Sequence, residues 1–209
     1  MKKLSLFLAI VMLVSLCLAS CAKEPVDTPF SPGTIVDNVY TSDWLGLSFT
    51  PTDTMEMMSE DELEAFMQTD DSMYTTDEAT GEKKLDYSKV PTVYEMVATD
   101  VETNCSVLIM AQYADETMTI ESYIETVRTQ LDDLLVAEND LGTANFSEIT
   151  TKKLAGREYT VFAYAFETNG MTFGQTMYID KIEDRIANIC ITHGNTEELE
   201  EFLACFSRK

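Results

Sequence analysis

Two long runs with strand character, Arg157 to Glu167 and Met171 to Lys181, flank the dipeptide Asn169-Gly170. Asn and Gly both accept positive φ, so this pair predicts a type I′ turn, whose twist matches that of the strands it joins. The turn sets a register in which Thr168 faces Met171, Phe166 pairs with Phe173, Tyr164 with Gln175 and Phe162 with Met177. Val161, Ala163 and Ala165 then oppose Tyr178, Thr176 and Gly174 on the other face. A slip of one residue would exchange the faces. One side is therefore expected to fill a thick aromatic layer, and the side with small residues to admit a close-packed helix.

Further runs extend this unit into a meander. Phe146 to Leu154 precedes it through a turn at Ala155-Gly156, and Arg185 to Thr192 follows it. Upstream, Thr34 to Tyr40 and Leu45 to Thr50 read as two strands around Asp43-Trp44, the second closed by Pro51. Val93 to Asp100 and Cys105 to Tyr113 read as a hairpin turning at Glu102-Thr103-Asn104. Helical spacing appears three times. Ser59 and Glu62 form a capping box ahead of Leu63, Phe66 and Met67. A Thr119 cap precedes Ile120, Tyr123, Ile124, Val127, Leu131 and Leu134, the strongest amphipathic stripe. After Asn195-Thr196, Leu199, Phe202, Leu203 and Phe206 are expected to face inward. Thr69 to Val90 is polar and reads as a long surface loop. The order ββ–α–ββ–α–ββββ–α predicts one α+β domain over residues 34–209, mostly antiparallel, with helices on both faces of the sheet.

Residues 1–33 read differently. Lys2-Lys3 is a basic start, Leu4 to Ala19 is apolar, and Leu18-Ala19-Ser20-Cys21 matches the lipobox of bacterial lipoproteins. A run of about 16 apolar residues is shorter than the ~20 that span a bilayer, so cleavage before Cys21 is favoured over a transmembrane anchor. Residues 1–20 are then a signal peptide, and Cys21 carries a palmitate-type diacylglyceryl group. Residues 21–33, with Pro25, Pro29 and Pro32, form a Pro-rich tether. Each buried acyl methylene contributes about 0.8 kcal/mol, so such an anchor holds the domain to the membrane through Cys21. The expected location is the outer face of the cytoplasmic membrane, or the outer membrane where one exists.

Charge narrows the partners. The chain has 37 acidic and 14 basic residues, a net charge of −23, and loss of Lys2 and Lys3 with the leader makes it more negative still. Nucleic acid is excluded as a partner, because its affinity comes mainly from Lys and Arg on phosphate. Glu24 to Glu82 holds 15 acids and no Lys or Arg, so a protein or cation partner is expected at that acidic surface.

Tyr40, the run Trp44-Leu45-Gly46-Leu47-Ser48-Phe49, and Pro51 stand behind a lipobox and a Pro-rich tether. Together with Met118-Thr119-Ile120-Glu121-Ser122-Tyr123-Ile124 and Leu154-Ala155-Gly156-Arg157-Glu158-Tyr159, they resemble small lipoproteins of Firmicutes-type bacteria with a PsbP-like α/β/α sandwich. The resemblance covers about Thr34 to Phe206, and the chain departs from it at Pro51-Thr52-Asp53-Thr54. It implies a binding or assembly role rather than chemistry, and it transfers no catalytic residue.

Candidate chemistry is sparse. His193, the single His, follows Cys190 by three residues, which on a strand puts the two on opposite faces. Cys105, Cys190 and Cys205 remain after Cys17 and Cys21 are set aside, an odd number that suits buried thiols or one bridge. Met55, Met57 and Met58 are soft thioethers that could hold copper, although Met also fills cores. The pairs Asp70-Asp71, Asp115-Glu116, Asp132-Asp133 and Glu183-Asp184 diverge as neighbours and form no acid/base dyad. The Asp70 to Glu82 segment lacks EF-hand spacing, and Glu121 with Glu125 is at most a weak cation site. The expectation is a non-enzymatic, lipid-anchored envelope module with no cofactor; the alternative is an envelope module that binds divalent cations or copper.

Overall fold

A computed structural model describes residues 30–67, 69–77, 80–137, 144–168 and 171–209. The leader, Cys21 and the Asn169-Gly170 turn lie outside the described residues. In chain order the strands are β1 (Thr34–Val36), β2 (Val39–Ser42), β3 (Leu47–Phe49) and β4 (Met55–Met57). Helix α1 (Glu60–Phe66) follows, then β5 (Tyr74–Thr76), β6 (Lys83–Leu85), β7 (Thr92–Asp100), β8 (Ser106–Tyr113) and α2 (Ile120–Ala137). The remainder is β9 (Asn145–Phe146), β10 (Thr150–Leu154), β11 (Arg157–Thr168), β12 (Met171–Ile182), β13 (Arg185–His193), α3 (Thr196–Ala204) and β14 (Phe206–Arg208).

These strands form a mostly antiparallel sheet in the order β10-β11-β12-β13-β8-β7-β4, with β9 also on β11, beside a smaller sheet β1-β2-β3-β14. The β11–β12 register is the expected one, with Thr168 opposite Met171, Phe166 opposite Phe173, Tyr164 opposite Gln175 and Phe162 opposite Met177. Alternate residues of β13 enter two separate cores. Ala187, Ile189 and Ile191 join Tyr40, Leu47 and Phe49 of the small sheet, Leu199 and Phe202 of α3, and Phe206. Ile186 and Cys190 join Phe162, Tyr164, Leu63 of α1, and Tyr123, Ile124, Val127 and Leu131 of α2. Those four α2 side chains are all buried, and each contributes about 1.5–3 kcal/mol by leaving water.

Local chemistry explains the helix starts. Ser59 and Glu62 make both halves of the capping box, the Thr119 hydroxyl accepts the Ser122 N–H at 3.1 Å, and Asn195 accepts the Glu198 N–H at 3.0 Å.

Four expectations change, and one strand is added. The run Thr34 to Tyr40 is two strands, because Asp37 and Asn38 take φ of 50° and 60° and fold it into a tight hairpin. Phe146 to Leu154 is also two, because the Ser147 hydroxyl accepts the Ala163 N–H at 3.0 Å and so replaces a ladder bond. Thr69 to Val90 contains the β5–β6 hairpin rather than loop alone. Met55–Met57 is a strand on the edge of the large sheet, paired with β7. Phe206 belongs to β14, which pairs with β3, and not to the last helix.

Candidate functional site

A groove of about 700 Å³ opens between α3 with β14 on one side and the β3–β4 connection with the β7–β8 turn on the other. Glu198, Glu201, Phe202 and Cys205 line it from positions three and four apart, which share one helix face. Met55 and Phe202 are its buried apolar floor. Thr52, Thr54, Thr103 and Ser207 add hydroxyls, and the described lining residues include no Lys or Arg.

Two of the carboxylates, Asp100 and Glu198, are held in place from within. Asp100 accepts the Glu102 and Thr103 N–H groups at 2.9 and 2.8 Å and the Thr54 hydroxyl at 2.5 Å. Burial raises its pKa and the hydrogen bonds from Thr54, Thr103 and Glu102 lower it, for a net decrease, so it stays ionised. Glu198 accepts the Gly194 N–H at 2.6 Å and the Cys105 thiol at 3.2 Å. Burial, with that bond, pushes Cys105 up to about 11. A thiol so raised is a poor nucleophile.

The residues singled out in the sequence do not converge. Met55 and Met57 pack with the core that contains the small sheet, whereas Met58 packs with the core of α1 and α2. The copper candidates are thus divided between two cores. Cys190 is buried in the α2 core and pushed to about 12 by that burial. His193 instead lies 3.0 Å from the Thr176 hydroxyl, its pKa lowered by burial. Cys105, Cys190 and Cys205 are free thiols. Asp70 caps a turn through the Ser72 N–H, Asp71 pairs with Lys83 at 2.9 Å, and Glu125 pairs with Arg128 at 2.7 Å. Among the described residues, no three His, Cys, Asp or Glu side chains are placed to hold a metal ion.

One polar centre was not anticipated. The β7–β8 register shifts between Tyr94 and Met96, so Glu95 is the extra residue of a β-bulge. The bulge turns its side chain inward, where it is 5% exposed. Its Oε2 accepts the Tyr40 hydroxyl at 2.7 Å and the Gly33 N–H at 2.8 Å, while Oε1 has no hydrogen-bond partner among the described residues. Burial raises Glu95 to about 7, against the lowering effects of Gly33, Tyr40 and Arg185. Arg185, also buried, donates to the Val90 and Tyr87 carbonyls at 3.2 and 2.6 Å. Its guanidinium lies 4.5 Å from the Phe30 ring centre. A lone acid inside the apolar run Val93 to Val97 was the available signal.

No family model matches the sequence, and no curated protein matches it. Among solved structures the chain is similar to cyanobacterial PsbP (CyanoP) from Synechocystis, with 8% identity and a TM-score of 0.46 over 92% of this chain and 99% of that one. It is similar to a protein of Bacteroides thetaiotaomicron at 10% identity and a TM-score of 0.39, over 82% of this chain and 48% of that one. It is similar to LpqN, involved in cell envelope biogenesis of Mycobacterium tuberculosis, at 8% identity and a TM-score of 0.36, over 77% and 82% of the two chains.

Proposed function

We propose that the chain is a lipid-anchored extracytoplasmic module of the bacterial cell envelope that binds a partner in the groove beside α3 and performs no chemistry on it. The groove's lining carries this reading. It combines an apolar floor with fixed carboxylates and hydroxyls, a surface suited to recognition. The non-enzymatic part is supported by the raised thiols of Cys105 and Cys205 and by the engagement of His193 with Thr176, away from the groove hydroxyls. A cationic segment of another protein complements Asp100, Glu198 and Glu201; nucleic acid does not. The lipobox at Cys21 supports an anchor and an outward-facing domain joined by a Pro-rich tether. A PsbP-like sandwich of the Firmicutes lipoprotein type, with helices on both faces of the sheet, belongs to the same reading and rests on the motifs around Trp44, Thr119 and Gly156.

The test is site-specific photo-cross-linking in the native membrane. A photoreactive side chain at Thr52, on the groove, is expected to give a discrete protein adduct that is lost with Glu201→Lys. The same probe at Ile149, an exposed position outside the groove lining, is expected to give none. Equal adducts from both positions, or none from Thr52, would refute the groove as a docking surface.

A further inference from the structure

We propose that residues 30–33 form a proton-controlled strap, closed over Glu95 while that carboxyl is neutral and lifted when it ionises. The strap makes three contacts. Phe30 packs edge-on against Trp44 with ring centres 4.8 Å apart and the planes at 87°. The Arg185 guanidinium sits over the same Phe30 ring, and the Gly33 N–H reaches Glu95. The fit is close: a Cβ at position 33 would lie 2.4 Å from the Tyr40 ring, so only glycine lets the chain pass there.

Two effects oppose each other at Glu95. The Gly33 and Tyr40 donors favour the carboxylate, since hydrogen bonds to a charged acceptor are the stronger ones. Burial favours the acid, and it is the largest influence, so the closed site binds a proton more tightly than a solvated glutamate does. With Oε1 unpartnered among the described residues, an ionised Glu95 in the closed site is incompletely compensated. Lifting the strap lets water reach it and returns its affinity for protons toward normal. By linkage, protons favour the closed strap and rising pH favours the open one. If the strap accounts for the whole difference between about 4.5 and about 7, its closing equilibrium moves at most about 300-fold.

The other titratable groups facing this centre come from several elements. Tyr40 from β2 and Tyr87 from the turn before β7 are raised by burial, and Tyr159 from β11, near Tyr40, is raised to about 12. Arg185 from β13 stays cationic, with Asp184 and Tyr113 beside it. The single His, His193, lies at the opposite end of β13 from Arg185, about 27 Å away at ~3.4 Å per residue.

Trp44 is the only tryptophan, so its emission reports the Phe30 contact directly. Full-length protein in detergent micelles, titrated from pH 5 to pH 9, is expected to show an emission transition near pH 7. The transition should survive His193→Gln and vanish in Glu95→Gln and Phe30→Ala. An emission flat with pH in wild type, or a transition that persists in Glu95→Gln or disappears with His193→Gln, overturns the proposal. Should Glu95→Gln fail to fold, amide exchange in wild type decides: protection of the Gly33 N–H should fall across pH 7 while that of Leu47 in β3 holds. Unchanged Gly33 protection overturns the proposal.

Discussion

Glu95 is a buried acid inside the otherwise apolar run Val93 to Val97. A bulge inserts it into β7, burial raises it to about 7, and two donors hold only one of its oxygens. The folded pKa lies above the unfolded one, so the stability linked to this group is complete below about pH 4.5 and is lost as pH rises through about 7. The loss between pH 4 and pH 8 is on the order of 3 kcal/mol, less whatever an opening strap relieves. In a His193→Gln background, which removes the opposing contribution of a His whose pKa burial lowers, urea unfolding is expected to give a lower midpoint at pH 8 than at pH 5. In Glu95→Gln the difference should shrink, because the amide does not titrate. A midpoint insensitive to pH in that background would contradict the assignment. Residue type alone did not reveal this site: composition marks Glu95 as one acid among 37, and only the register shift shows that it turns inward.

At the scale of elements, the sequence spoke most clearly where one local rule decides the geometry. The β11–β12 register followed from Asn169-Gly170, and the α1 and α3 starts from Ser59 and Asn195. Asn195→Ala removes the oxygen that accepts the Glu198 N–H at 3.0 Å and should cost about 1 kcal/mol in thermal or urea unfolding. An unchanged midpoint would mean that water replaces the cap. Other elements were hidden because tertiary contacts decide them. β14 is three residues long and exists by pairing with β3, and β4 by pairing with β7. The Asp37-Asn38 turn was missed for another reason: neither residue is Gly, yet both adopt positive φ. The groove combines segments distant in the chain, Thr50 to Met55, Asp100 to Thr103 and Glu198 to Ser207, so no spacing rule announces it.

For the whole molecule, charge and location frame the account. Acids far outnumber bases, and the groove follows that bias, with carboxylates and no Lys or Arg among its described lining residues. Much of the remaining acid is spent locally on turns and ion pairs, as with Asp70, Asp71 and Glu125. No helix among the described residues is long and apolar enough to cross a membrane. The proposed membrane attachment rests on the lipobox at Cys21, and the proposed envelope role of the groove depends on it. Labelled palmitate fed to cells that express the full chain tests this most directly. Label on the protein in the membrane fraction, abolished by Cys21→Ser together with release of the protein from that fraction, is the expected result. An unlabelled wild-type protein, or Cys21→Ser labelled and retained as wild type is, would contradict the account.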